Sequence, residues 1–303
     1  MCGNGRVVFS EERMDYIGLK AYAKINLGLD VLGTLENGYH EVRMVMQSID
    51  LYDKVGLHKN PGGRITVKTN LPFLPVDKDN LVYKAAALLK EEFGIREGVD
   101  IGLYKFIPVA AGMAGGSSDA AAVLRGMNRL FRLKLGDEEL MERGAKIGAD
   151  VPYCVMGGTA LAEGIGEKLT RLNPCPECSV VIGKPGISVS TKYVYDRLVI
   201  DGNTKHPDID GIIGGINNGS IYEVSERLGN VLESVTENAY PVIGEIKEKM
   251  RKMGALNSIM SGSGPTVFGL FDDAGKAAAC SEALRKSRLT RSSYVVGLAN
   301  GGT

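Results

Sequence analysis

The run Ile107-Pro-Val-Ala-Ala-Gly-Met-Ala-Gly-Gly-Ser-Ser-Asp-Ala-Ala-Ala-Val-Leu124 passes from a glycine-rich turn straight into an alanine-rich helix. Gly112, Gly115 and Gly116 reach backbone angles closed to other residues, so successive N–H groups can converge on an anion. The helix adds its unpaired first-turn amides and the positive end of its dipole. The segment therefore reads as a phosphate-binding loop. Ser117, Ser118 and Asp119 also form a capping cluster, but a cap alone does not require glycines at 112, 115 and 116 ahead of it. The run lacks the Lys-Ser/Thr ending of a Walker loop and the Gly-x-Gly-x-x-Gly spacing of a dinucleotide loop.

Around this run the chain alternates strand and helix patterns. Ile101 to Phe106 reads as the strand that feeds the loop, and Ser118 to Phe131 as its helix. Upstream, Ile17 to Leu32 and Val42 to Leu57 have strand character, with Glu36-Asn37-Gly38 as the turn between them. Ile65 to Lys68 is a further strand, and Asp79-Asn80 caps a helix from Leu81 toward Phe93. Downstream, Asp137 to Ile147 is amphipathic. Asn173-Pro174-Cys175-Pro176 is the clearest break in composition, since clustered prolines stop regular structure. Strand Ser179 to Ile182, helix Thr191 to Leu198, an unpatterned Gly/Asn/Asp-rich stretch from Asp201 to Gly219, and helices Ile221 to Leu228 and Val242 to Met253 follow. A strand, the Ser-Gly-Ser-Gly turn, a strand, helix Ala274 to Lys286 and strand Tyr294 to Gly297 complete an α+β pattern.

At 303 residues the chain is long enough for two domains. Met1 to Arg13 shows no sustained periodicity and reads as an extension or an upstream start, with Met14 as the alternative first residue. Lys plus Arg balances Asp plus Glu at 36 each, which leaves no bulk charge for nucleic acid or an anionic membrane. No apolar stretch is long enough to span a bilayer, and the polar N-terminus lacks a signal-peptide core, so a cytoplasmic location is expected. Five scattered cysteines argue for thiols rather than a disulfide framework. Cys175-Pro-Glu-Cys178 has no second pair or nearby His to complete a metal site, so it reads as a loop accident and no metal ligands are assigned. His58 and His206 read as surface-loop residues.

Four segments stand in a recognisable order: Ala23-Lys-Ile-Asn-Leu27, the loop itself, Gly148-Ala-Asp-Val-Pro-Tyr153 leading into Gly157-Gly158-Thr159-Ala160, and Ser261-Gly-Ser-Gly-Pro-Thr266. Together they resemble the GHMP kinases, the family named for galactokinase, homoserine, mevalonate and phosphomevalonate kinases. Asn37-Gly-Tyr-His40 and Gln47-Ser-Ile-Asp-Leu-Tyr52 narrow the resemblance to members whose acceptor is a cytidine diphosphate-linked methylerythritol. The resemblance covers nearly everything from Tyr16 to Val296. It departs from the commonest family loop in reading Gly-Met-Ala-Gly-Gly rather than Gly-Leu-Gly-Gly-Gly, where Ala114 keeps a small side chain.

The resemblance implies a two-domain fold behind an extension of residues 1–16. Residues 17–172 form a ribosomal protein S5 domain 2-like N-terminal, ATP-binding domain, and residues 173–303 a ferredoxin-like α/β sandwich. It also implies ATP and Mg²⁺ as cofactors, no nucleic-acid or membrane partner, and a monomer or weak homodimer. The loop residues Pro108, Ala110, Ala111, Gly112, Met113, Ala114, Gly115, Gly116, Ser117 and Ser118 are assigned to the ATP phosphates, with either serine near Mg²⁺. Asn80 and Lys105 are assigned near the nucleotide base or ribose.

Phosphoryl transfer needs positioning, charge neutralisation and a destination for the acceptor proton. Asp150, held in its turn, suits the last task, and Lys24 is the expected cation that orients the acceptor hydroxyl. Asn26 projects from the same strand face as Lys24 and is expected to touch the same substrate. Alone, Asp150 reads as a cap and Lys24 as a solvated strand end. A cytosine needs an aromatic face and polar groups at its edge. Tyr39 and His40 suit that, with Tyr195, or Tyr193, as the opposing aromatic. Gly262 and Ser263 are expected to close over the transferred group. The rival readings are another GHMP small-molecule kinase, of mevalonate, homoserine or shikimate type, and a catalytically silent nucleotide-binding regulator.

Overall fold

Two β-sheets divide the chain, and both send residues to a shared cavity. The computed structural model describes residues 15–36 and 38–300. Residues 1–14, most of the expected extension with its alternative start, lie outside the described residues, as does Asn37 of the first turn. The extension's last residues belong to the fold, because Lys59 N–H donates to Asp15 O (2.9 Å) and Tyr16 opens the first strand.

β1 (Tyr16–Thr34) and β2 (His40–Asn60) form a long antiparallel hairpin. β3 (Ile65–Thr69), α1 (Leu81–Glu92) and β4 (Gly98–Tyr104) make a parallel crossover unit whose last strand pairs with β2. α2 (Gly115–Leu130), α3 (Asp137–Ala145) and α4 (Val151–Met156) follow, then the hairpin β5 (Thr159–Glu163) and β6 (Lys168–Arg171) on the other part of β2. Leu57, Ile101 and Leu103 of the sheet pack with Ala85, Leu89, Ala120 and Leu124 of α1 and α2. Burial of such apolar surface is the main term holding helices to sheet.

The rest of the chain comprises β7 (Ser179–Lys184), α5 (Thr191–Tyr195), α6 (Ile209–Asn217), α7 (Ile221–Glu226), β8 (Gly229–Asn230), α8 (Glu233–Ala239), α9 (Val242–Lys252), β9 (Asn257–Met260), β10 (Val267–Phe271), α10 (Ala274–Lys286) and β11 (Ser292–Val296). The second sheet runs β11-β7-β10-β9, antiparallel throughout, which is the split, ferredoxin-like order. The α+β expectation therefore holds. The halves interleave, however: β8 pairs in parallel with Gly28 and Leu29 of β1, and Leu298 bridges Ile49 of β2.

Several local expectations are corrected. Asp201 to Gly219 contains α6, with Ile209, Ile212 and Ile216 buried, and Ile209 and Ile212 lie against β1 at Gly28. Gly211, Gly214 and Gly215 dilute its period in the sequence. The Asp150 turn opens a short helix, α4, which with β5, β6 and α8 was not anticipated. His58 lies exposed on β2, not in a loop, whereas His206 is an exposed loop residue as expected and pairs through Nδ1 with Asp30 Oδ1 at 2.7 Å.

β1 changes face twice. From Tyr16 to Lys20 the even-numbered residues are exposed, while Leu19 and Ala21 enter the helix-facing core. The register with β2 breaks between Tyr22 and Ala23 and again between Asn26 and Gly28. Between the breaks Ala23, Ile25 and Leu27 fill a second core, and beyond them Leu29 and Val31 rejoin the first. Bulges re-aim side chains in this way, so Lys24 and Asn26 turn inward although plain alternation would leave them in solvent.

Candidate active site

A cavity of about 850 Å³ is lined from both halves of the chain, a size suited to a small-molecule ligand. Pro108, Ala110, Ala111, Gly112, Met113, Ala114, Gly115, Gly116 and Ser117 all line it. The left-handed backbone falls on Ala110 (φ 51°), Gly112 (φ 71°) and Ala114 (φ 53°), whereas Gly115 and Gly116 form the first turn of α2. A left-handed alanine costs on the order of 1–2 kcal/mol, so the loop is held by its surroundings rather than by intrinsic preference. Gly112 is required for space as well, since a Cβ there would lie 2.3 Å from Ser261 O.

The capping reading of the serines fails. The N-cap of α2 is Ala114, without a side-chain cap, and Ser118 N–H makes the first helical bond to Ala114 O at 2.9 Å. The preceding amides of Gly115, Gly116 and Ser117 are the orphan donors of the helix start. Ser118 is fully buried and its Oγ donates to Tyr22 O at 2.7 Å, so it does not reach the cavity. Ser117 does. Two bonds pin the middle of the loop: Lys24 N–H donates to Met113 O (3.2 Å), and Ser261 Oγ donates to Gly112 O (3.0 Å).

Lys24 and Asp150 both line the cavity. The Lys24 ammonium is buried and donates to Asn26 Oδ1 at 2.8 Å. Asn26 is itself fully buried, donates to Met44 Sδ at 3.3 Å and is absent from the lining, so what it reaches is Lys24 rather than the open cavity. Asp150 occupies the N-cap position of α4 but makes no side-chain cap bond, which removes the capping explanation. Nor does it form an ion pair with Lys24; among the described residues the Asp150 carboxylate has no hydrogen-bond or ion-pair partner. The acid and the cation face one space without closing on each other.

Asn80 and Lys105 line the cavity with their polar groups already engaged. Asn80 caps α1 by accepting from Val82 N–H (3.1 Å) and donates to Pro75 O (2.7 Å). Lys105, expected near the base or ribose, has its ammonium bonded to Asp53 Oδ2 and Asp119 Oδ2 beneath the loop. Leu74, Leu81 and Leu103 supply an apolar wall that sequence reasoning missed; nothing in their local pattern distinguishes them from core.

Tyr39, His40 and Tyr195 also line the cavity. The His40 and Tyr195 rings touch, with centroids 4.9 Å apart at 51°, so no base fits between them and the pair forms one wall. Burial, assisted by the Asp150 charge, pushes the Tyr195 phenol up to about 12, which keeps it a hydrogen-bond donor at neutral pH. Tyr193 is excluded as the alternative, since its ring carries the Arg197 guanidinium at 4.0 Å and does not line the cavity. From the second half come Gly262 and Ser263, the latter bonded through Oγ to Thr191 Oγ1 at 2.9 Å. Thr191 was missed although it lies in the segment that supplied Tyr195.

Known proteins share this fold and much of this sequence. The model of the GHMP kinases N terminal domain matches residues 80–158, and that of the GHMP kinases C terminal region matches residues 212–288. The 4-diphosphocytidyl-2-C-methyl-D-erythritol kinase of Lachnospira eligens is 57% identical over 281 residues, covering 93% of this chain and 98% of that protein. The enzyme of the same name from Caldicellulosiruptor bescii is 50% identical, covering 88% of this chain and 93% of its own. A crystal structure of 4-(cytidine 5'-diphospho)-2C-methyl-D-erythritol kinase superposes with a TM-score of 0.81 at 32% identity, over 95% of this chain and all (100%) of the other. Homoserine kinase from Cytophaga hutchinsonii, at 22% identity and a TM-score of 0.79 over 98% of each chain, shares the fold. The chain belongs to the GHMP kinases and, within them, to the 4-diphosphocytidyl-2-C-methyl-D-erythritol kinases.

Proposed function

We propose that this cavity is where the chain transfers the γ-phosphoryl group of ATP to the 2-hydroxyl of 4-diphosphocytidyl-2-C-methyl-D-erythritol, a step in making isoprenoid precursors. Membership of the family gives the activity. The observation that carries the residue roles is the joint presence, in one cavity, of the phosphate loop, Lys24, Asp150 and the Tyr39/His40/Tyr195 wall.

GHMP kinases use ATP with a divalent metal. The oxygens of lining residues without a protein partner include Ser117 Oγ, the Asp150 carboxylate and Asp119 Oδ1, all hard donors. No group of three or more His, Cys, Asp or Glu ligands occurs among the described residues. That donor set fits Mg²⁺, which keeps waters and leans on substrate phosphates. When bound, the cation neutralises phosphate charge.

The chain's own residues do the rest. The loop amides and the helix start hold the phosphates. Lys24, braced by Asn26, orients the acceptor hydroxyl and stabilises the oxygen as it loses its proton, and Asp150 accepts that proton. Tyr39 offers a stacking face and His40 a base-edge contact for the cytosine. Gly262 and Ser263 close over the transferred group. In this reading the enzyme works in the cytoplasm, as a monomer or weak homodimer. A coupled ADP-release assay with a panel of acceptors tests it: turnover of the cytidyl substrate alone is expected. Turnover of mevalonate or homoserine, with none of the cytidyl substrate, overturns it.

A further inference from the structure

Asp53, on β2, is fully buried and lies outside the catalytic residues described above. Its Oδ1 accepts the amides of Phe106 and Ile107, the latter at 2.8 Å, immediately before the loop. Its Oδ2 holds Lys105, whose backbone is fixed in turn by Asn70: Lys105 N–H donates to Asn70 Oδ1 at 2.8 Å, and Asn70 Nδ2 donates to Lys105 O at 3.1 Å. Lys105 reaches past the loop to Asp119 Oδ2, in the second turn of α2. One buried carboxylate thus fixes the residues entering the loop and, through one ammonium, the helix leaving it.

We infer that Asp53 is a positioning residue for the nucleotide, clamping both ends of the segment 108–117 through the Phe106 and Ile107 amides and the Lys105–Asp119 bridge. The inference rests on reading that segment as the nucleotide loop. Two acids around one ammonium make a poor device for stability, because desolvating charges costs more than an apolar core of the same shape. Asp119 Oδ1 is also left buried without a partner, a departure that native cores rarely tolerate without a functional reason. The backbone it fixes is the one carrying the left-handed alanines at 110 and 114, which need an external restraint.

The test measures ATP binding by calorimetry without acceptor, and steady-state constants for both substrates, in Asp53→Asn and Asp119→Asn. Asp53→Asn keeps an oxygen for the two amides and removes the charge that holds Lys105. The ATP dissociation constant is expected to rise about tenfold or more, while KM for the cytidyl substrate stays within about twofold. Asp119→Asn, which leaves the amide bonds intact, is expected to show the same split more weakly. Parallel weakening of both substrates, or unchanged ATP affinity in a folded variant, overturns the inference. Failure of both variants to fold does so too, since the cluster would then be structural. If the wild-type chain itself does not bind ATP, the reading of the loop fails instead.

Discussion

Asp150 holds its carboxylate in the cavity with no protein partner, so its removal isolates proton acceptance from architecture. Asp150→Asn is expected to lower kcat by on the order of 10²-fold or more, with calorimetric ATP affinity unchanged. A near wild-type rate would show that Lys24 and the phosphates suffice without a base. His40→Ala should weaken the cytidyl substrate by about 1–3 kcal/mol and leave ATP affinity alone, the cost of an unpaired base edge; equal weakening of both would make His40 structural. At thiols the expected result is inertness. Burial holds Cys175 and Cys178 up at about 12 and Cys280 at about 11, far from thiolate at pH 8. Iodoacetamide at that pH should modify these residues only after unfolding in urea, as read by peptide mass mapping. Lys24 and Asp150 were legible because their motifs surround them, but side-chain direction was not. The sequence pattern starts α2 at Ser118, three residues later than Gly115, which leaves Ser117 outside the helix and its direction unspecified.

At the scale of elements, the loop and α2 depend on close backbone approach at Gly112. Gly112→Ala meets Ser261 O at 2.3 Å with φ at 71°, so the loop must move. The expected outcome is a rise in KM for ATP of about tenfold or more together with a lower Tm; an unchanged KM would show that the loop tolerates displacement. Strands, loop and long helices were legible from alternation, glycine clusters and caps, as with Asn80 before α1. Short elements were legible only in part. α5 and α7, of five and six residues, fall inside longer runs read as helices, whereas α4 and α8, of six and seven, carry no such signal and owe their helicity to tertiary burial of residues such as Val151, Tyr153 and Thr236.

Across the whole molecule, Asn230 joins the two sheets. It follows Gly229 on the edge of the first sheet, and its Nδ2 donates to Met260 O and Gly262 O, both at 2.8 Å, at the turn that reaches into the cavity from the second. Asn230→Ala leaves both buried carbonyls unpaired and is expected to cost about 1–3 kcal/mol in urea unfolding and to lower kcat. A stable variant with full activity would show that the turn is fixed by Ser261 and Thr191 alone. The clustered prolines lie between β6 of the first sheet, which ends at Arg171, and β7 of the second, which starts at Ser179. The return of β8 and of residues 297–300 to the first sheet was invisible, because a two-residue strand and a tail carry no pattern of their own.

The register breaks of β1 have a consequence for how such a chain can change over time. Beyond the segment 23–27, Leu29 and Val31 return to the core that holds Leu19 and Ala21, and a third break between Val31 and Gly33 restores the register with which the strand began. Substituting a residue in that segment alters one contact, whereas inserting or losing one residue rotates Lys24 and Asn26 to the far side together and hands their place to Ala23 and Ile25. Here a change of length acts on the whole segment at once, where a change of identity acts at one position.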